Sequence, residues 1–399
     1  MRPARPEAGE SPMSAAPRPV HVVTLIDLVA EAGGAETLAV ELVQRLDPER
    51  FRRTLVLYRL IPESSPYFAG QARIIARLQA DGVEVVMLDG RDRRDLASWR
   101  PLVSLLRSGD VDVLHTHKHG PNLWGSLLSR LARRVVLVAH EHTWSFEGRP
   151  LRKLADRWLI ATRADAFLAV SDLDRQRMID IEGVPGDRIR LLPNGIPPVV
   201  AEPGIDVRAE LGIPAGAPLI GSVGVFRPQK DFATLLRAHA LLRERLPDAR
   251  LVIVGDGPER PALEALRADL GLDYSVVFAG FRSDAVGLAA GFDLAVNSSL
   301  FEGASLAILE FMALGVPVVA TAVGGTPELL DGGGAGVLVA PQDPLGLATA
   351  MAGLLEDPAR AAALAGAARE RQNDIYNIDV QVLRLEEMYR ELLAARRSR

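Results

Sequence analysis

The 399-residue chain has no cysteine, so neither a disulfide framework nor a thiolate metal site can form, and a reducing compartment suits it. No apolar run reaches the 18 residues or more that a membrane-spanning helix needs. Residues 1–19, MRPARPEAGESPMSAAPRP, lack the apolar core of a secretory signal and are expected to form a disordered leader. A net charge of −5 leaves no basic footprint for nucleic acid. No GxGxxG string follows the first strand, which argues against a standard dinucleotide site.

What the chain does have is 48% apolar residues, enough for sizeable cores, at a length above that of a usual single domain. Short runs of Val, Ile and Leu alternate with stretches at helical spacing. The runs near 20–26, 54–58, 83–88, 111–115, 135–139, 166–170 and 189–192 read as one set of strands. Those near 218–223, 250–254, 276–279, 292–296, 316–320 and 336–339 read as a second. Few polar residues interrupt them, as expected for parallel strands buried on both faces. Helical stretches such as 35–46, 122–133, 231–246 and 304–314 fall between them. The pattern predicts an α/β protein of two doubly wound domains. Their expected spans are 20–195 and 196–375, divided by the turn-rich Pro193-Asn194-Gly195-Ile196-Pro197-Pro198. A last helix, 376–399, is expected to pack back on the first domain.

Parallel sheets bind ligands beyond the carboxyl ends of their strands, so position sorts the motifs. Gly33-Gly34-Ala35-Glu36-Thr37 follows the first strand and opens a helix. Glycines there let a phosphate reach a helix N-terminus, although a plain turn would use them too. Five of the seven histidines lie between 115 and 142. His115, His117 and His119 follow one strand, and His140 and His142 follow the next. They read as a polar lining for a sugar or phosphate, as local hydrogen-bonding groups, or as a zinc site, because alternating residues of an extended segment face one way. Asp110-Val111-Asp112 is a DxD string, but at the amino end of its strand, where solvated acids are ordinary. Arg227 and Lys230, in Gly224-Val225-Phe226-Arg227-Pro228-Gln229-Lys230-Asp231, follow the first strand of the second set. They either clamp a diphosphate or are solvated charges of a surface loop.

Residues 298–328, SSLFEGASLAILEFMALGVPVVATAVGGTPE, carry the strongest signal. Glu302 ends a turn. Glu310 stands among Leu306, Ile308, Leu309, Phe311 and Met312, where a carboxylate calls for a partner. Eight residues of helix would rise about 12 Å, more than the about 5–9.5 Å between glycosidase carboxylates. The pair suits two parts of one elongated ligand, phosphates at one end and hydroxyls on both sides, better than it suits acid–base chemistry.

Taken in order, these strings resemble the retaining glycosyltransferases of family 4, which have the two-Rossmann-domain GT-B architecture. The resemblance runs from about 20 to 395. Glu302 and Glu310 match the family's two glutamates separated by seven residues, and Gly315-Val316-Pro317-Val318-Val319-Ala320-Thr321 and Gly324-Gly325-x-x-Glu328 follow as in the family. Val170-Ser171, Pro193-Asn194-Gly195 and Phe278-Ala279-Gly280-Phe281 fall where the family has similar strings. The resemblance implies that Glu310 holds the ribose hydroxyls of a nucleotide-sugar. It implies that Glu302 and the amides of Gly303, Ala304 and Ser305 contact the sugar and diphosphate, and that Lys230 neutralises the diphosphate. The family often has arginine directly after the glycine where this chain has Val225, so Arg227 is assigned that role. Gly33 and Gly34 would close the site from the first domain. His142 matches the histidine facing the reacting sugar, with His140 as the alternative register and His117 as a further sugar or acceptor contact. The implied catalytic group is His142, Glu302, Lys230 and Arg227, with no metal and no cofactor. The implied partners are a nucleotide-sugar, UDP-sugar first, and a hydroxyl-bearing glycan, lipid-linked or small-molecule acceptor. A nucleotide-sugar epimerase of the same fold and a non-catalytic nucleotide-sugar-binding protein are the alternatives.

Charge is unevenly split. Residues 1–197 hold 28 basic and 25 acidic residues, a net of +3, and residues 198–399 hold 18 and 26, a net of −8. Arg149, Arg152, Lys153, Arg157 and Arg163 share a stretch with Leu151, Leu154, Trp158 and Leu159. Such a helix either lies on an anionic membrane surface or packs its apolar side on its own domain. The expected location is cytoplasmic, with a peripheral contact at the inner face of the membrane.

Overall fold

The computed structural model describes residues 18–30, 34–63, 65, 68–88, 95–132, 134–142, 150–199 and 206–398. All but the last two residues of the expected leader lie outside this set, as do Gly33 and Arg149.

The first sheet contains β1 (Val20–Ile26), β2 (Phe51–Leu57), β3 (Glu84–Met87), β4 (Val113–His117), β5 (Val136–His140), β6 (Ala166–Ala169) and β7 (Ile189–Leu191). All pairings are parallel, and the order is β3-β2-β1-β4-β5-β6-β7. The second contains β8 (Leu219–Val223), β9 (Arg250–Val254), β10 (Val276–Gly280), β11 (Leu294–Asn297), β12 (Val318–Thr321) and β13 (Val337–Val339). It is also all parallel, in the order β10-β9-β8-β11-β12-β13. Helices cover both faces of each sheet, so the central strands are apolar throughout: Val22, Val23, Leu25 and Ile26 of β1 are all inaccessible to solvent. This is the expected pair of doubly wound units.

Among the strands that depart from the expected limits, two do so for clear physical reasons. β2 begins at Phe51 rather than 54, because Arg53 hides its guanidinium by donating to the carbonyls of Gln44 and Asp81, at 2.6 and 2.5 Å. β4 runs two residues later than its apolar run, through His115, Thr116 and His117, all buried. Polar side chains hide this part of the strand from a search for apolar runs.

Several helices start on side-chain caps. Ser171, Asp231, Asp343, Asp357 and Asn377 each accept a backbone N–H of the helix that follows. After the second sheet the chain returns: Ile196 pairs with Asn377 through a parallel bridge. Helix Ile378–Arg397 then packs Ile378, Val382, Leu385 and Tyr389 against Val22, Val113 and Val138 of the first sheet. Each sheet reverses strand order once, between β1 and β4 and between β8 and β11. A crevice outside the carboxyl ends of those strands is where such sheets place ligands.

Candidate functional site

A cavity of about 750 Å³ lies at these two switch points. Gly34, Glu36, Lys118 and His142 line it from the first half. Arg227, Lys230, the turn Glu302 to Ser305, and Glu310 line it from the second.

The loop after β8 presents Lys230. Asp231 takes the left-handed conformation, with φ 45°, and its carboxylate accepts from the amide and hydroxyl of Thr234 at 3.2 and 2.7 Å. That cap holds the backbone at Lys230. The loop is also laced to the one after β11. The Leu300 amide donates to Gln229 O (2.8 Å), the Gln229 side-chain amide to Phe301 O (2.9 Å), and the Ser298 hydroxyl to Lys230 O (2.8 Å). Lys230 Nζ therefore reaches Glu302 Oε1 at 2.5 Å, and the Ser299 hydroxyl donates to the same oxygen at 2.7 Å. The pair leaves an ammonium fixed at the cavity wall with its charge already balanced, so an arriving anion meets a cation that needs no reorganisation.

The Glu302 turn is held by close backbone approaches. A Cβ on Gly303 would lie 2.2 Å from the His142 carbonyl oxygen. Gly324, with φ +53°, sits so close behind that a Cβ there would lie 1.6 Å from Glu302 O. The Gly325 amide donates to Gly303 O at 2.7 Å, and Asn194, in the break between the sheets, donates to Ala304 O at 2.7 Å. The next helix, Leu306–Leu314, starts at Ser305 without a side-chain cap. Its first residues, Leu306 and Ala307, line the cavity, so the uncapped N-terminus opens on it as an anion-binding end. The helix begins at Leu306, not at Glu302, so half of the interval to Glu310 is extended turn and the 12 Å helical rise does not apply.

Glu310 lies on this helix at the cavity floor. Partial burial pushes its carboxyl up to about 7, and among the described residues no cation or hydrogen-bond donor offsets that effect. The partner that the apolar sequence around it calls for is not supplied by any described side chain, and the carboxyl is left on the cavity wall.

On the first sheet, β4 and β5 are in register with His117 opposite His140. His115, His117, His140 and His142 share one face. His117 Nδ1 and His142 Nε2 are 2.9 Å apart, and His115 Nδ1 meets the Tyr389 hydroxyl at 2.7 Å. Burial lowers the basicity of all four, His140 to about 3, so they are neutral near pH 7. Only His142 lines the cavity. His117 and His140, expected as sugar or acceptor contacts, are fully buried behind it because the strand continues through them. Ring nitrogens of His115, His117 and His140 lie within 4.8 Å of one another. That spacing is one a metal ion could use, and the rings of His115 and His140 are parallel to within 4° at 5.5 Å.

Arg227 is exposed at the rim, and Gly34 opens helix Gly34–Arg45 on the facing wall. Asp112 serves its strand's amino end by accepting from Arg18 and from the His21 amide. Asn194 and Asp256 also line the cavity, as do Lys118 and Arg282, which had been given no role from sequence. Lys118 has φ 76°, rare outside glycine, and its ammonium meets Glu36 at 2.6 Å. The strand-end rule applied to the histidines on either side of it would have found it.

The description Glycosyltransferase Family 4 matches residues 32–199, and Glycosyl transferases group 1 matches residues 217–357. The chain is 33% identical over 296 residues to a GDP-mannose-dependent alpha-(1-6)-phosphatidylinositol monomannoside mannosyltransferase of Mycolicibacterium smegmatis, covering 69% of this chain and 74% of that one. It is 29% identical over 244 residues to a UDP-Gal:alpha-D-GlcNAc-diphosphoundecaprenol alpha-1,3-galactosyltransferase of Escherichia coli, covering 58% of this chain and 63% of that one. Among solved structures, HepE of Anabaena in complex with UDP superposes with a TM-score of 0.79 at 22% identity, over 93% of this chain and 100% of the other. The chain therefore belongs to glycosyltransferase family 4, as a nucleotide-sugar-dependent glycosyltransferase whose two Rossmann-like sheets form the GT-B fold.

Proposed function

We propose that the protein is a metal-independent, retaining hexosyltransferase that moves a sugar from a UDP-sugar to a hydroxyl acceptor in glycolipid, polysaccharide or cell-envelope glycan synthesis. One observation carries this reading. A fixed ammonium (Lys230), an uncapped helix N-terminus (Ser305 to Ala307) and a half-buried carboxyl without a partner among the described residues (Glu310) line a single cavity. The first two suit a diphosphate and the third suits ribose hydroxyls.

In the proposed reaction the bond from the sugar's anomeric carbon to the diphosphate oxygen breaks, and a bond to the acceptor oxygen forms on the same face. The acceptor's proton passes to the leaving diphosphate. Lys230, Arg227 and the amides after Glu302 stabilise the charge that develops there. Glu302 and the amides of Gly303, Ala304 and Ser305 orient the sugar, and Gly34 closes the site from the first domain. His142 presents a neutral ring, which can hydrogen-bond a sugar hydroxyl without adding a cation beside the electron-poor carbon. The cysteine-free chain and the soluble donor suit the cytoplasm. Among the described residues no helix is long and apolar enough to cross a membrane.

The relative from Mycolicibacterium smegmatis is named for GDP-mannose, which makes GDP-mannose the second donor reading. A thermal-shift panel of nucleotide-sugars, with and without EDTA, separates the readings. UDP-sugars are expected to raise the melting temperature more than GDP-mannose does, and EDTA to leave the shift unchanged. A larger shift with GDP-mannose reassigns the donor. Loss of the shift in EDTA, restored by zinc or magnesium, contradicts metal independence. Incubation with donor alone is expected to yield no epimer; a product epimer would make the protein an epimerase.

A further inference from the structure

Residues 150–163 form one helical element: Pro150–Ala155 is α, Asp156–Ile160 a π turn, and Ala161–Arg163 α again. Its apolar residues are divided: Ile160 and Ala161 are buried in the core of the first sheet, while others face outward. An ordinary surface helix buries its large apolar side chains and exposes its charges. Here the inner side buries a carboxylate: Asp156 is 1% exposed and meets His119 at 3.1 Å and Arg152 at 3.4 Å. Leu151, Leu154 and Trp158, at i, i+3 and i+7, are instead 80, 53 and 62% exposed. Of the apolar stretch read from sequence, Leu159 is half-buried, whereas Leu151, Leu154 and Trp158 are not packed on their own domain.

The outward charge is of one sign. Arg157 and Arg163 are exposed and Lys153 is half-buried, whereas the helix's one acid is the buried Asp156. Arg157 lies over the Trp158 ring at 4.7 Å, and its stem packs against the Gly183 turn. The face thus joins apolar anchors, a tryptophan among them, to positive charge that no acid on the helix offsets.

We propose that this face docks on the surface of an anionic lipid bilayer. Basic charge alone would suit any acidic partner. The aliphatic pair and tryptophan beside it suit the headgroup boundary, where apolar side chains enter the acyl region and guanidinium groups stay with the phosphates. A second copy of the chain would set Lys153, Arg157 and Arg163 against their own equivalents across a two-fold axis, so like charges oppose that occupant.

The surface is tied to the cleft. Arg152, on the inner side of the helix, meets Glu141 at 3.0 Å, and the next residue, His142, lines the cavity. Docking therefore sets the first-domain rim of the cleft at the membrane. Resting on the transferase reading above, the acceptor is a hydroxyl carried by a lipid or a lipid-linked glycan.

Sedimentation of the full-length protein with phosphatidylcholine vesicles, with and without phosphatidylglycerol, tests the surface. Binding is expected only when phosphatidylglycerol is present, and weaker at high salt. A Leu151→Glu, Trp158→Glu double variant is expected to bind at least ~10-fold more weakly, and a Lys153→Glu, Arg157→Glu variant to lose the phosphatidylglycerol preference. Both should keep the parent's melting temperature and nucleotide-sugar shift. Absence of binding to anionic vesicles, or equal binding by parent and variants, overturns the proposal. So does a dimer in solution that the Leu151→Glu, Trp158→Glu change dissolves. A nucleotide-sugar shift without vesicle binding rejects the surface alone. Vesicle binding without any nucleotide-sugar shift supports the surface and rejects the transferase reading.

Discussion

Glu310 is a carboxyl whose charge changes within the working pH range, because desolvation lifts it from 4.5 to about 7 with nothing among the described residues to offset the effect. Two opposite pH dependences follow. A carboxyl held above its unfolded value stabilises the fold most at low pH, and that contribution is lost as pH rises toward 7. Ribose hydroxyls would donate to the ionised form, so the donor pulls the equilibrium toward the carboxylate. Donor affinity is therefore expected to rise with pH up to about 7 and then level, falling toward tenfold per pH unit on the acid side. Calorimetric titration with a nucleotide-sugar in two buffers on each side of neutrality should detect proton release on the acid side only. Glu310→Gln should abolish that release, and equal release in the variant would remove Glu310 from the donor site. The carboxylate itself was legible from sequence, as one acid in an apolar helix. Its partner was not, because none of the described side chains supplies one.

At the scale of elements, the site depends on loops that touch through backbone atoms. Gly303 meets His142 O, and Gly324 meets Glu302 O, at separations that leave no room for a Cβ. Gly303→Ala must push the Glu302 turn off the first-domain rim, and transfer is expected to fall by roughly 100-fold, as misplacement of reacting groups does. Gly366→Ala is the matched control. That glycine lies within helix Pro358–Ile375 with nothing near its Cβ position, so the change is expected to stabilise by about 1 kcal/mol without altering transfer. Equal activity of the two variants would deny the turn its positioning role. Sequence placed the motifs at strand ends well, because a doubly wound sheet puts its polar turns there. It left the histidines between a polar lining, local hydrogen bonding and a zinc site, because β4 and β5 continue as strands through polar residues that pack on one another and on Tyr389. Apolar periodicity carries no trace of such packing.

At the scale of the molecule, the two switch points face each other across a seam that both halves build. Asn194 bonds Ala304 O, the Asp172 amide donates to Glu328, and Val170 and Ile196 join the core around Phe292, Ile308 and Phe311. Two βα series in the sequence were enough to expect the two sheets. The seam was not legible, because its contacts run between carbonyls, amides and glycines far apart in the chain. The central claim is that the charges facing this seam hold a nucleotide-sugar for transfer, and Lys230 is the cation on which it most depends. Its most direct test is nucleoside diphosphate release from the preferred nucleotide-sugar, with acceptor present, by the parent protein, Lys230→Ala and Glu310→Ala, all checked for unchanged circular dichroism. The account predicts a sharp loss of turnover in both folded variants. Turnover equal to the parent in both would contradict it.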